Sequence, residues 1–187
     1  MPEAVVAKRP ATYQDVLDAP EHMVAEIVRG SLHLHPRPRP QHIVVSSSLG
    51  DELVGPFQKG RGGPGGWWIL DEPELHLADE VLVPDLAGWR RERMPALPRS
   101  AYFELAPDWV CEVLSPSTRP LDLGEKRDTY AERGVAHLWQ VDPDARTLEA
   151  FALEGGRWVL QATLVDDADV ALPPFEAVPF SLADLWP

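Results

Sequence analysis

The sequence is poor in cysteine, in positive charge and in long apolar runs. Its single cysteine, Cys111, excludes a disulfide within the chain and fits a reducing compartment. The sequence has 17 lysines and arginines and 30 acidic residues, so its net charge is −13. This charge argues against a broad basic surface that binds nucleic acid. No apolar stretch has the length of a signal peptide or a membrane span, so we expect a cytoplasmic protein that does not enter a membrane.

The sequence does contain enough apolar residues for a substantial core. Hydrophobic residues make up 44% of the 187 residues, and seven of them are tryptophans, which is typical of a folded globule. We therefore interpret residues 1–187 as a single domain, with a tail at residues 1–10 and a C-terminal β extension at residues 147–187.

Apolar periodicity and turn residues predict an α/β fold. We expect a mixed central sheet flanked by helices, with a C-terminal β-hairpin extension. The predicted helices are Ala11–Ala19 with Thr12 as its N-cap, Gln41–Phe57 and Leu121–Glu132. The predicted strands are Met23–Val28 and Ser31–His35 around a turn at Arg29-Gly30, Trp67–Leu70, Leu82–Trp89, Trp109–Leu114, Ala136–Val141, Leu148–Leu153 and Arg157–Leu164. The predicted connections include the basic, proline-rich Pro36–Pro40, the glycine-rich Lys59–Gly66 and the acidic Asp71–Glu80.

The stretch from Pro107 to Tyr130 holds polar residues that are hard to explain as surface. Glu112 interrupts an apolar strand, and a buried carboxylate is unfavourable unless a cation or several donors satisfy it. On the helix that follows, Asp122, Lys126 and Tyr130 are spaced four apart and share one face. The unit thus places an acid on a strand and a lysine on the helix behind it.

A second acid, Asp85, follows Pro84 on another predicted strand. Two carboxylates without supporting cysteines or a paired histidine motif suit Mg²⁺ or Mn²⁺ and not zinc. A divalent ion held by Asp85 and Glu112 would stabilise charge on a phosphoryl oxygen, and Lys126 would orient the attacking water. Spacing alone leaves the ordinary interpretation open, in which Asp85 starts a turn and Lys126 is an exposed lysine paired with Asp122 or Glu125.

The order of these motifs resembles that of one family. The chain resembles the bacterial "putative restriction endonuclease" family, first described as a domain of unknown function, of the PD-(D/E)XK nuclease superfamily. The segments that carry the resemblance are Val-Pro-Asp85, Pro107 through Glu112 to Thr118, the helix with Lys126 and Tyr130, and Leu138-Trp139. The resemblance runs from about Thr12 to Phe151 and includes Glu26 and Gly30 as an opening Glu-Xaa-Xaa-Xaa-Gly pattern.

The resemblance implies a Mg²⁺- or Mn²⁺-dependent endonuclease acting on nucleic acid, DNA above all. Asp85, Glu112 and the backbone carbonyl of Val113 would hold the metal. Leu114 stands where the superfamily places its lysine, so Lys126 would substitute for it. A homodimer would supply the two sites that a double-strand cut needs. Supporting residues would be Glu26, Asp122 and Tyr130, and candidate nucleic-acid contacts are Arg37, Arg39, Arg90, Arg91 and Arg93.

Three ordinary explanations stay open for other polar residues. A salt bridge to Arg29 or another arginine explains Glu26 better than metal binding does. The arginines around Arg90 fit a solvated loop, and His33, His35 and His42 fit solvated positions. Two other functions also stay open, namely an inert binding module that keeps the nuclease fold and a metal-dependent hydrolase of a small phosphoester.

Overall fold

A computed structural model describes residues 9–187, so most of the tail predicted at residues 1–10 lies outside the described part of the chain. Helices and strands follow one another in mixed order. The helices are α1 Tyr13–Leu17, α2 Pro40–Leu53, which continues into a wider turn at Val54–Gln58, α3 Arg119–Asp122, α4 Glu125–Glu132 and a final 3₁₀ turn at Leu182–Leu185. The strands are β1 Met23–Val28, β2 Ser31–Pro36, β3 Trp67–Asp71, β4 Leu75–Leu77, β5 Glu80–Leu82, β6 Leu86–Arg90, β7 Trp109–Val113, β8 His137–Asp142, β9 Thr147–Glu154, β10 Arg157–Val165, β11 Asp169–Val170 and β12 Phe180–Ser181.

A six-stranded mixed sheet with the order β10-β9-β8-β7-β6-β3 forms the centre of the fold. Only its β7–β8 pair is parallel, and the chain between these strands carries α3 and α4, the crossover that parallel neighbours require. The predicted α/β fold, a mixed central sheet flanked by helices, is therefore confirmed. The predicted C-terminal hairpin, β9–β10, continues this sheet at its outer side, and the short β11–β12 pair follows.

A smaller sheet with the order β2-β1-β5-β4 covers part of the central sheet. Its β1–β2 hairpin turns at Arg29 and Gly30, as predicted, and both residues have positive φ, 50° and 73°. Such a turn matches the right-handed twist of the two strands and favours glycine. Gly30 adopts its positive φ without steric cost, whereas a positive φ is uncommon for a residue such as Arg29.

Two predicted segments were wrong in this region. The acidic connection Asp71–Glu80 contains strand β4, whose Leu75 and Leu77 are buried two residues apart, so the strand period was present beneath the acidic composition. The predicted strand Leu82–Trp89 is broken between β5 and β6, at Val83–Asp85. Pro84 lies in this break, because it has no N–H to donate to a neighbouring strand.

The predicted helix Leu121–Glu132 was also wrong in one respect, because it is two helices separated near Gly124. Gly124 has φ −112° and ψ −113°, and a Cβ there would lie 2.8 Å from the Pro120 carbonyl oxygen. The close approach therefore excludes other side chains. The break leaves Asp122 on α3 and places Lys126 in the first turns of α4.

Apolar side chains bury both faces of the central sheet. One face packs against α2, through Val45, Leu49 and Leu53, and against the C-terminal segment. The opposite face packs against the smaller sheet and α4. Along β7, Cys111 points towards α2 while Val110 points the other way, so Glu112 shares the side of α4 and the smaller sheet. Within residues 9–187, no helix has the length and apolar character that crossing a membrane requires.

Candidate active site

The pairing of β6 with β7 brings Asp85 beside Glu112. The antiparallel register joins Leu86 to Cys111, so Asp85, which directly precedes β6, lies near the end of β7 that carries Glu112. Oδ2 of Asp85 accepts the backbone N–H of Val113 at 2.7 Å, which fixes the carboxylate at the end of β7. Two segments far apart in sequence therefore bring Asp85 and Glu112 to the wall of one cavity.

Lys126 on α4 reaches the same place from behind the sheet. Its Nζ lies 2.8 Å from Oε1 of Glu26, 3.0 Å from Oε1 of Glu112 and 3.7 Å from Oδ1 of Asp122. It also donates a hydrogen bond to the Val83 carbonyl at 3.1 Å. Lys126 is 2% exposed, so the interpretation of an exposed surface lysine does not describe it.

Glu26 lies in the middle of the smaller sheet and faces this cluster. Its Oε1 accepts the backbone N–H of Val83 at 2.7 Å in addition to the contact with Lys126. Arg29, the partner that the ordinary interpretation expected, instead pairs with Glu132 at 2.6 Å. Glu26 is therefore one of the acids around the buried lysine, and it ties the smaller sheet to the Val83–Asp85 break.

The carboxylates outnumber the cation that neutralises them. Burial raises the pKa of Glu112 well above its ordinary range, although Lys126 opposes the shift. Burial likewise raises the pKa of Asp122, to about 6. Burial lowers the pKa of Lys126, but Glu112 and Glu26 outweigh it, and the lysine stays protonated. Burial is the largest cause of both raised carboxyl pKa values, and the neighbouring carboxylates add to it. A cation bound beside these groups would favour their ionised forms.

The hydroxyl group of Tyr130 also contacts Glu112. It donates to Oε1 of Glu112 at 2.6 Å, and both side chains are buried. Burial, followed by the Glu112 charge, raises the pKa of Tyr130 well above its ordinary value, so the hydroxyl remains a donor. Oε1 of Glu112 thus contacts both the Tyr130 hydroxyl group and the Lys126 ammonium group.

Two histidines that the sequence suggested were solvated lie at the site. Nε2 of His42, on α2, is 3.1 Å from Oδ1 of Asp85, and Nε2 of His35, on β2, is 3.5 Å from Oε2 of Glu26. Burial lowers the pKa of His42, but the hydrogen bond and charge of Asp85 outweigh it, and the pKa lies above its usual value. The Val113 backbone raises the pKa of His42 further.

The register of the β1–β2 hairpin could have predicted from the sequence that His35 lies near Glu26. A turn at Arg29-Gly30 sets His33 opposite Glu26 and puts His35 two residues further along the same face. Nothing comparable pointed to His42, because its position depends on how α2 crosses the sheet.

These side chains enclose a cavity of about 160 Å³. Asp85, Glu112, Asp122, Lys126 and Glu26 all line it. Among the described residues, no three side chains of His, Cys, Asp or Glu converge as a ready-made metal cage. Mg²⁺ usually keeps several waters and binds through only one or two carboxylates, so the neighbouring Asp85 and Glu112 in a negatively charged cavity fit this ion.

The five candidate arginines fall into two groups. Arg37 and Arg39 are exposed at the mouth of the cavity and contribute to its wall. The remaining three lie at the opposite end of β6 from Asp85. There Arg90 stacks over Trp67 at 4.6 Å, Arg91 stacks over Trp68 at 4.0 Å, and Arg93 pairs with Asp108 at 2.8 Å.

Comparison with known proteins identifies the family. The Uma2 family, described as "Putative restriction endonuclease", matches residues 10–183. The chain belongs to this family. Among solved structures, the Uma2 chain resembles a protein from Anabaena variabilis ATCC 29413 described as a putative nuclease belonging to DUF820, with 24% sequence identity and a TM-score of 0.73. The similarity covers 94% of this chain and 97% of that one and shows a shared fold.

A comparison with curated proteins gave no match. Membership in Uma2 supports a nuclease-like function, and families of the restriction-endonuclease type generally use divalent metals.

Proposed function

We propose that this protein is a Mg²⁺- or Mn²⁺-dependent endonuclease that hydrolyses phosphodiester bonds of nucleic acid, DNA above all. The observation that carries the proposal is one cavity that both Asp85 and Glu112 line, in which Lys126 lies 3.0 Å from Glu112. Carboxylates that can hold a divalent ion and a cation beside them are parts that metal-assisted phosphodiester hydrolysis uses.

Each residue of the cluster has a separate role in this proposal. Asp85, Glu112 and the Val113 carbonyl would hold the metal, which supplies Lewis-acid stabilisation of the phosphoryl oxygens. Lys126, fixed by its bonds to Glu26 and the Val83 carbonyl, would orient the attacking water and face the charge that develops on phosphate.

Tyr130 and Asp122 position the residues beside them. Tyr130 fixes the orientation of the Glu112 carboxyl group through its 2.6 Å hydrogen bond. Asp122 lies 3.7 Å from the Lys126 ammonium and adds to its electrostatic restraint.

The exposed Arg37 and Arg39 would contact the phosphates that flank the scissile bond. Both lie at the mouth of the cavity, whereas the net charge of −13 elsewhere disfavours non-specific binding. We assign no substrate contact to Arg90, Arg91 or Arg93, since these side chains are engaged at the far end of β6. A homodimer would carry two such cavities.

A metal titration combined with a cleavage assay tests the proposal. Calorimetry with Mn²⁺ should detect a saturable site in the wild type that Glu112→Gln removes and that the exposed control Glu154→Gln keeps. Plasmid, single-stranded DNA, RNA and nucleotides should be incubated in parallel with each protein. Cleavage of a polymer that requires Mn²⁺ or Mg²⁺ and is lost in Glu112→Gln is the expected result.

The other outcomes identify the competing functions. Absence of a saturable metal site would leave the chain an inert module with a nuclease fold. Hydrolysis of nucleotides without cleavage of polymers would indicate a small phosphoester hydrolase. Undiminished polymer cleavage by Lys126→Ala would remove Lys126 from the mechanism.

A further inference from the structure

A groove runs from the proposed catalytic cavity along α2. It encloses about 680 Å³ between α2 and the neighbouring ends of β3 and β6. The catalytic cavity and the groove meet at Asp85, and the residues that line both are Arg37, Pro38, His42, Glu72 and Asp85. A group in the groove would therefore be covalently within reach of a phosphate bound beside Asp85.

The lining of the groove is apolar at its walls and acidic at its edge. Ile43, whose side chain is 47% exposed, and Val54 supply apolar surface on the side of α2. Asp51, Asp71, Glu72 and Asp85 place four carboxyl groups around it, against the single guanidinium of Arg37. Such a lining repels phosphate, because like charges would approach each other closely. Its apolar side chains can instead contact an apolar group, and its carboxylates can accept hydrogen bonds from donors on that group.

We propose that this groove binds an unpaired base of the nucleotide next to the scissile phosphate. Exocyclic amino groups of bases are donors that Asp and Glu side chains accept, and the ring faces contact apolar side chains. The inference rests on the proposed nuclease function and deepens it, since it names the form of the substrate. Arg37, which borders both cavities, would contact the phosphate between the base in the groove and the scissile bond.

A base in the groove cannot at the same time remain stacked and paired in a duplex. The substrate is therefore single-stranded nucleic acid, or a duplex with an unpaired nucleotide at the site of cleavage. The acidic surface of the protein agrees with this substrate, since binding depends on a few local contacts and not on a long basic face that follows a duplex.

Filling the groove tests the inference. Gly50 lines the groove on α2, and a Cβ at this position would meet only Leu86 Cδ2, at 3.9 Å. Gly50→Leu should therefore fold while its side chain occupies space meant for the base. Gly55→Leu is the matched control, because a Cβ at Gly55 meets nothing within 4 Å and this residue lies outside the groove. Thermal unfolding and Mn²⁺ titration of both variants, made first with Glu112 intact, establish that the fold and the metal site are retained.

The measurement is the binding of fluorescent oligonucleotides followed by anisotropy, in a Glu112→Gln background that prevents cleavage. We expect the single strand to bind about tenfold more tightly than the matched perfect duplex, the size of one lost base contact. A duplex with one unpaired nucleotide should approach the single strand in affinity. Gly50→Leu should lose about tenfold in single-strand affinity, while Gly55→Leu should bind as the parent does.

Three results would overturn the inference. These are equal affinity for single strand and perfect duplex, equal affinity of Gly50→Leu and Gly55→Leu for the single strand, and absence of binding to every oligonucleotide. With the Glu112-dependent metal site and polymer cleavage both present, the first two results refute only the groove. Loss of that metal site would instead refute the nuclease function itself, so the two failures are distinguishable.

Discussion

Lys126 is a buried ammonium group among three buried carboxylates, and its replacement by methionine should destabilise the metal-free protein. The substitution keeps much of the side-chain volume. It removes the ammonium group, which lies within 4 Å of carboxylate oxygens of Glu26, Glu112 and Asp122. Removing one partner of a buried ion pair typically costs about 3–5 kcal/mol. In a chain of this length, that loss corresponds to a fall in melting temperature of roughly 6–20 °C.

The loss should depend on pH, with a definite sign. Without Lys126 the carboxyl pKa values in the folded protein rise further above those of the unfolded chain. The folded variant therefore binds protons that the unfolded variant releases, and its stability falls as pH rises. Near pH 5 the carboxyl groups of Glu112 and Asp122 can accept protons, so the destabilisation is smaller than at pH 8.

The assay is thermal unfolding in EDTA at pH 5 and pH 8, with Lys59→Met as the control for loss of one exposed lysine. Lys126→Met should melt well below the control at pH 8 and closer to it at pH 5. Equal melting temperatures of the two variants at pH 8 would refute the buried cluster. An equal deficit at both pH values would show that the carboxylates do not compensate by taking up protons. Mg²⁺ should restore part of the stability at pH 8, by about 2.7 kcal/mol at a hundredfold excess over its Kd.

Other substitutions test the cluster and the core. In EDTA, the raised pKa of Asp122 should contribute up to about 3 kcal/mol to the free energy of unfolding below pH 4, and this contribution should be lost as pH rises through about 6. Urea unfolding should show that Asp122→Asn abolishes this pH dependence. Tyr130→Phe removes a buried donor to Glu112 and should cost about 1–3 kcal/mol in thermal unfolding, with a weaker Mn²⁺ affinity by calorimetry. Leu49→Ala should cost about 2–5 kcal/mol in urea unfolding, whereas the 60% exposed Leu17→Ala should change stability by less than about 0.5 kcal/mol.

Local patterns in the sequence were sufficient for most elements of the fold. The hairpin at Arg29-Gly30, the buried strand around Glu112 and the strand at Leu138 depend on turn chemistry and on a two-residue period, which a short window contains. Two errors arose where one residue, Pro84 or Gly124, interrupted a regular pattern, and strand β4 was missed because its segment is acidic. At the division of the helix a Cβ on residue 124 would lie 2.8 Å from the Pro120 carbonyl oxygen, and this contact is visible only in the folded chain.

The sequence by itself also selected Asp85, Glu112 and Lys126, because Glu112 interrupts an apolar strand and the order of the motifs around all three residues resembles that of a nuclease family. Only the tertiary structure decided that these three groups share a cavity, that Glu26 arrives from a second sheet, and that His42 lies against Asp85. The physical reason is distance along the chain. Strand register and helix crossing bring together residues up to a hundred positions apart, and no local propensity encodes which of them will meet.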